Sequence, residues 1–169
     1  MAVTLISLGS NKRNAKASPA KIVMLAANSV ASLGKNAKLS SLYRSDAWPD
    51  PIAPAYVNAV MRLETDFAAE EILSAILAIE AGFSRIRSTD PAKRYAPRTL
   101  DLDLLAHGDV RMETSALSLP HPRMAGRGFV LLPLAEIAPD WRHPVKGETA
   151  SEMAAACDPS SVARLPFTG

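Results

Sequence analysis

The sequence predicts an α+β fold with a ferredoxin-like core, an antiparallel β-sheet flanked by helices. Three observations carry that prediction. Short apolar or alternating runs at residues 3–8, 38–43, 56–64 and 100–105 have the signature of strands with a buried face. Apolar residues recur at helical spacing from Ile22 to Leu33 and from Ile72 to Phe83. The resulting order of strand, helix, strand, strand, helix, strand is that of a ferredoxin-like β-α-β-β-α-β unit.

Val3 to Leu8 reads as a short buried strand, closed by the turn-forming Gly9-Ser10-Asn11. A polar, basic loop follows. Ser18-Pro19 then starts a helix, with a hydroxyl at the N-cap and proline at the first helical position. Gly34 marks the end of that helix. Residues 38–43 form a second strand. The three prolines of residues 44–55 exclude helix and central strand but limit the freedom of the loop. On the strand from Tyr56 to Glu64, Val57, Ala59, Met61 and Leu63 share one face, while Tyr56, Asn58, Val60 and Arg62 share the other. An aromatic plane beside an amide is suited to a flat heterocycle. A second amphipathic helix runs from Ala69 to about Phe83, with Glu80 near its end, where the helix dipole disfavours a carboxylate.

The connection from Ser84 to Arg98 is long and basic, in the manner of a binding loop. It leads to Leu100-Asp-Leu-Asp-Leu-Leu105. Alternation there turns Leu100, Leu102 and Leu104 to one face and Asp101 and Asp103 to the other, with Cα atoms roughly 6–7 Å apart. Two carboxylates that close repel unless a positive charge lies between them. Mg²⁺ is held by one or two carboxylates together with substrate phosphates. With Arg85, Arg87, Lys93, Arg94 and Arg98 just upstream, the pattern points to a polyphosphate–magnesium site. Read alone, Asp-Leu-Asp is equally a strand with a solvated acidic face.

Beyond this strand, His107-Gly-Asp reads as a turn, and residues 110–119 hold one or two short strands. Pro120-His-Pro-Arg-Met keeps His121 and Arg123 close together. The apolar segment from Leu131 to Ala138 is expected to be a helix with Pro133 in its first turn. Thr149-x-x-Glu152 is a capping-box pattern for a short final helix, and Leu165 to Gly169 is expected to fray.

The totals bound the function. At 169 residues, with neither an internal repeat nor a linker, one domain over 1–169 is expected. A net charge of +2 gives no reason to invoke nucleic acid or a membrane surface, and no apolar run approaches the length of a bilayer span. One cysteine, Cys157, permits no internal disulfide, which suits a cytoplasmic setting, and the start lacks the character of a signal peptide. No Walker-type loop, Gly-x-Ser-x-Gly elbow or zinc-ligand spacing is present.

Four segments resemble the 6-hydroxymethyl-7,8-dihydropterin pyrophosphokinase family of folate biosynthesis. They are Leu8-Gly-Ser-Asn11; Tyr43-Arg-Ser45 with Tyr56-Val-Asn58-Ala; Ala96-Pro-Arg-Thr-Leu-Asp-Leu-Asp103; and Leu119-Pro-His-Pro-Arg123 with Arg127-Gly-Phe129-Val-Leu-x-Pro-Leu. The resemblance runs from about residue 5 to residue 144. It implies transfer of a pyrophosphoryl group from ATP to the pterin hydroxymethyl oxygen, releasing AMP. Asp101 and Asp103 would bind two Mg²⁺ ions, and Arg85 and Arg98 would join them as the catalytic set. Glu80, Arg85, Arg87, Arg98, Leu104, His121 and Arg127 would form the ATP side. Ser45, Asp46, Trp48, Tyr56, Asn58, Tyr95 and Phe129 would form the pterin side, with Tyr56 and Phe129 as its aromatic walls. The partners implied are these two small molecules, with no nucleic acid, no membrane and a monomeric chain. Ser84 stands where the family usually has glycine, Tyr95 replaces a frequent tryptophan, and the connection from Arg87 to Arg94 is longer than in common members. Two other readings remain open on the residues alone. An RNA-binding module on a ferredoxin-like core lacks the expected aromatic motif, and a metal-dependent nucleotide hydrolase would need no pterin.

Overall fold

Alternation along three neighbouring strands fixes the architecture. A computed structural model describes residues 1–84, 89–93 and 96–166. In chain order it contains β1 (Ala2–Ser10), α1 (Pro19–Ala31), β2 (Lys35–Leu39), β3 (Tyr43–Ser45), β4 (Tyr56–Thr65) and α2 (Ala69–Gly82). There follow β5 (Asp101–His107), β6 (Met112–Glu113), β7 (Ser118–Leu119), α3 (Gly128–Ile137), α4 (Ala150–Ala156) and β8 (Val162–Arg164). The main sheet runs β5-β1-β4-β3-β8, with β2 also paired to β4. All of these pairings are antiparallel. β1 and β4 therefore lie at the centre, as the ferredoxin-like order requires.

One face of the sheet, formed by Ile6, Leu8, Ala59, Met61, Leu63, Leu102 and Leu104, packs on α1 and α2 through Ile22, Val23, Val30, Ile72 and Ile76. The opposite face carries Leu5, Val60 and Leu105, which pack on α3 and α4 through Val130, Leu134, Ile137 and Ala150. α3 and α4 cover only part of that face. Farther along the same strands, on the side that Leu5, Val60 and Leu105 occupy, stand Ser7 and Gly9 of β1, Tyr56 and Asn58 of β4, and Asp101 and Asp103 of β5. This strip is the floor of a cleft.

Local chemistry explains the boundaries. Ser18 accepts from the Lys21 amide and caps α1. Thr149 and Glu152 form the expected reciprocal capping box on α4. Gly34 is required by close approach rather than by a left-handed turn, because a Cβ there would lie 2.4 Å from the Glu64 carbonyl oxygen.

Three expectations are corrected. The single strand over 38–43 is two strands, β2 and β3. The register passes from Leu39↔Met61 to Tyr43↔Asn58, so three residues of one strand face two of the other, a bulge. Ser40 bridges the break: its amide donates to Val60 O and its hydroxyl accepts from Val60 N. α3 starts three residues before Leu131, so Pro133 lies inside the helix rather than in its first turn. Of the tail expected to fray, Leu165 is held in place, and residues 167–169 lie outside the described residues. β8 extends the sheet beside β3, and the Leu165 amide donates to Leu42 O.

Candidate active site

The cleft has a volume of about 650 Å³, and ten of the residues singled out from the sequence line it: Ser45, Asp46, Trp48, Tyr56, Asn58, Arg98, Asp101, Asp103, Arg127 and Phe129. Ser7, Leu8, Gly9, Pro122, Arg123 and Gly126 complete the wall. Gly9 keeps the floor low, since a Cβ there would meet Asn58 Oδ1 at 3.4 Å and the Tyr56 ring at 3.7 Å.

One end of the cleft is electrostatic. Arg98 Nη1 donates to Asp101 Oδ2 at 2.8 Å, and Arg127 Nη1 lies 3.8 Å from Asp103 Oδ2. Burial raises the Asp103 pKa, and the neighbouring Asp101 carboxylate raises it further, against the pull of His121, Arg127 and Arg98. Burial opposes the charge of Arg98, but the carboxylate of Asp101, with smaller help from Tyr56 and Asp103, prevails and lifts its pKa. His121 is held below the ordinary histidine value by burial, with Arg127 and Arg123 adding to the effect and Asp103 opposing it. Its Nδ1 accepts from the Arg123 amide. Among the described residues no cluster of three or more His, Cys, Asp or Glu side chains could hold a metal. An isolated carboxylate pair is the donor set of a Mg²⁺ ion whose remaining ligands are phosphate and water, not of a metal in an all-protein cage.

The other end is lined by aromatic rings and an amide. Tyr56 and Phe129 stand on different elements along the same cleft. The Arg127 guanidinium lies 5.4 Å from the Phe129 ring centroid. Asn58 is buried and donates to Ser45 Oγ at 2.8 Å, with a longer contact to Tyr43 O at 3.4 Å. The amide is thereby held rigidly, with its carbonyl oxygen toward Gly9.

Of the three described candidates that do not line the cleft, His121 interacts with Asp103, and the other two sit elsewhere. Leu104 faces the core beneath α2, on the side of the sheet away from the carboxylates. Glu80, 1% exposed, reaches β5 from behind, where Oε1 accepts from the Leu102 amide at 2.7 Å. That bond fixes the backbone between Asp101 and Asp103. Arg85, Arg87 and Tyr95 lie outside the described residues. A second cavity of about 630 Å³ shares the wall of Ser45, Asp46, Trp48, Arg127 and Phe129, and is also lined by Cys157, Asp158 and Val162 of the tail. Sequence reasoning did not anticipate that contribution.

A family model for 7,8-dihydro-6-hydroxymethylpterin-pyrophosphokinase (HPPK) matches residues 5–139. The chain belongs to the HPPK family. The matched span contains every residue of the carboxylate end and of the ring end. Among its HPPK relatives, a 2-amino-4-hydroxy-6-hydroxymethyldihydropteridine pyrophosphokinase of Synechocystis sp. is 44% identical over 125 residues, covering 74% of this chain and 62% of that protein. A Pseudomonas aeruginosa protein of the same name is 41% identical, over 76% of each chain. The chain thus spans less than two thirds of the Synechocystis relative. The HPPK-DHPS of Plasmodium falciparum, solved with pteroate, superposes with a TM-score of 0.64 at 16% identity, covering 91% of this chain and 42% of that one, a likeness of fold.

Proposed function

We propose that this HPPK-family chain transfers a pyrophosphoryl group from ATP to the hydroxymethyl group of 6-hydroxymethyl-7,8-dihydropterin in folate biosynthesis, giving AMP and the pterin diphosphate. The observation that carries the proposal is the union, in one cleft, of a carboxylate pair flanked by arginines with an aromatic and amide pocket. The pterin hydroxyl oxygen would form a bond to the β-phosphorus of ATP, the bond from that phosphorus to the α-phosphate oxygen would break with AMP as the leaving group, and the hydroxyl proton would pass to solvent. Asp101 and Asp103 would hold Mg²⁺, two ions being expected. The metal, when bound, supplies neutralisation of phosphate charge and alignment of the reacting oxygens.

The chain's own side chains do the remaining work. Arg98 and Arg127, each already beside a carboxylate, would turn to the phosphates, and His121 would contact the same side. Arg85 and Arg87 are assigned there on sequence alone, and Glu80 and Leu104, which the resemblance assigns to the nucleoside side, are buried behind β5 and would act there by holding that strand in place. Tyr56 and Phe129 would sandwich the pterin, Asn58 and Ser45 would read its edge, and Asp46, Trp48 and Tyr95 would enclose it. No helix among the described residues is long and apolar enough to cross a membrane. A monomeric, cytoplasmic enzyme with no nucleic-acid partner completes the proposal.

The test is AMP formation by the purified chain with Mg²⁺, ATP and the dihydropterin. AMP that requires the pterin supports the transfer. No AMP above the pterin-free control overturns it, and equal AMP with and without pterin makes the chain a nucleotide hydrolase.

A further inference from the structure

We infer that Asn11 is the positioning residue through which the two halves of the cleft are coupled, an inference that rests on the proposed function. Asn11 follows the last residue of β1 and is buried, 4% exposed. Both ends of its amide are in use. Oδ1 accepts from the Arg98 amide at 2.7 Å, and Nδ2 donates to the Pro54 carbonyl at 2.9 Å. The Asn11 amide in turn donates to Arg98 O at 3.1 Å, so the Arg98 backbone is gripped at both its donor and its acceptor.

The two partners belong to opposite halves of the site. Arg98 carries the guanidinium on Asp101. Pro54 ends the proline-rich loop that contains Trp48, and it stands two residues before Tyr56, whose ring walls the other end. One side chain therefore joins the phosphate-facing arm to the ring-facing loop. The choice of asparagine is chemically determined. The Arg98 N–H can only donate and the Pro54 carbonyl can only accept, so the bridge needs one acceptor and one donor on a single short side chain. Aspartate keeps the first bond but sets a carboxylate against the Pro54 carbonyl. Leucine, of similar size, loses both.

An arm that shifts when phosphate draws on Arg98 shifts the anchor of Pro54 as well. Occupancy of the phosphate half then changes how firmly the loop encloses the ring. Coupling between two sites is reciprocal and is typically about 5- to 150-fold in affinity.

The experiment uses the full chain and its Asn11→Asp variant, with Mg²⁺ and the unreactive α,β-methylene analogue of ATP. Binding of 6-hydroxymethylpterin is titrated calorimetrically with and without the analogue. The wild-type chain is expected to bind the pterin at least about fivefold more tightly when the analogue is present. Asn11→Asp is expected to bring that ratio to about one, while each ligand alone binds within about threefold of wild type. A merely structural role would weaken all affinities together and leave the ratio intact, and a wild-type ratio in Asn11→Asp overturns the inference. Deuterium uptake over residues 50–57 of the wild-type chain supplies a readout that needs neither the variant nor the pterin. The analogue alone should slow uptake there, and unchanged uptake also overturns the inference. Failure of the wild-type chain to bind the pterin even with the analogue counts instead against the proposed function.

Discussion

Replacing Asp103 with asparagine separates a catalytic role from a structural one. Two carboxylates about 6 Å apart repel by roughly 0.7 kcal/mol in water and by about 3 kcal/mol at an effective dielectric constant of about 20. Arg98 at 2.8 Å from Asp101 and Arg127 at 3.8 Å from Asp103 offset much of this. The Asp103 side chain is 37% exposed, so solvent screens what remains. Asparagine keeps the shape, removes the repulsion and loosens only a long contact to Arg127. The folded chain should therefore stay within about 1 kcal/mol of wild-type stability. Turnover should fall by about a thousandfold, since metal-borne charge stabilisation contributes several kcal/mol to such a reaction and about 4 kcal/mol is a factor of a thousand. Urea unfolding measures the first quantity and AMP release the second. If Asp103 instead anchors Arg127 structurally, the variant unfolds more easily by more than the roughly 1 kcal/mol that a solvent-screened pair can supply. That result, or turnover within tenfold of wild type, refutes the reasoning.

Other perturbations probe the frame around the cleft. Glu80→Ala leaves the Leu102 amide without its acceptor and should cost about 1–3 kcal/mol plus a cavity term, whereas Glu80→Gln keeps an acceptor oxygen and should cost less. Thermal unfolding ranks the two, and a Leu102 amide still protected from exchange in the alanine variant would remove Glu80 from this role. Gly34→Ala forces a Cβ to within 2.4 Å of the Glu64 carbonyl and should destabilise by about 1–3 kcal/mol or more; an unchanged urea midpoint contradicts the close approach. Tyr43 donates to Glu136, and its pKa is pushed up to about 12 by burial first and by that carboxylate second. Because the folded pKa is raised, the contribution to stability is complete below about pH 10, where the unfolded group titrates, and is lost as pH rises toward 12. Ultraviolet titration should show a late tyrosinate step that Tyr43→Phe abolishes; with no such step the environment of Tyr43 is misassigned.

Much of this frame was legible because local patterning and tertiary packing agree. The alternation of Leu100 to Leu105 set Asp101 and Asp103 on one side of β5, and the same rule put Tyr56 beside Asn58 and apart from Ala59 and Met61. Ser18 and the Thr149–Glu152 pair announced helix starts through hydrogen bonds that close within three residues. Features set by distant partners were not legible. Val162-Ala163-Arg164 has no strand signal of its own and becomes β8 by pairing with residues more than a hundred positions earlier. Ser40 looked like any strand residue until its hydroxyl took a place in the β4 ladder. Glu80 stood out through its unfavourable helix position, but only the packing of α2 against β5 identifies the Leu102 amide as its partner. Asn11 read as a turn residue because both partners of its side chain, Pro54 and Arg98, are remote in sequence.

The division of labour in the cleft follows from what each half is mounted on. Asn58 and Asp103 stand on β4 and β5 opposite β1 at the centre of the sheet, and Tyr56 is paired with Ser45 of β3. Asn58 is further locked by Ser45 on β3. Such positions can move little without breaking ladder hydrogen bonds, so substitutions there should alter affinity or chemistry directly. Trp48 sits in the proline-rich loop at 73% exposure and can shift at small cost, whereas Arg98, which precedes β5, moves only together with the Asn11 bonds that hold its backbone. Substitutions in the loops should therefore act on closure and release, which limit turnover in many enzymes. Asn11 is the point where a rigid strand end meets both movable segments. Its effect should accordingly be visible in the dependence of one ligand on the other before it is visible in either affinity alone.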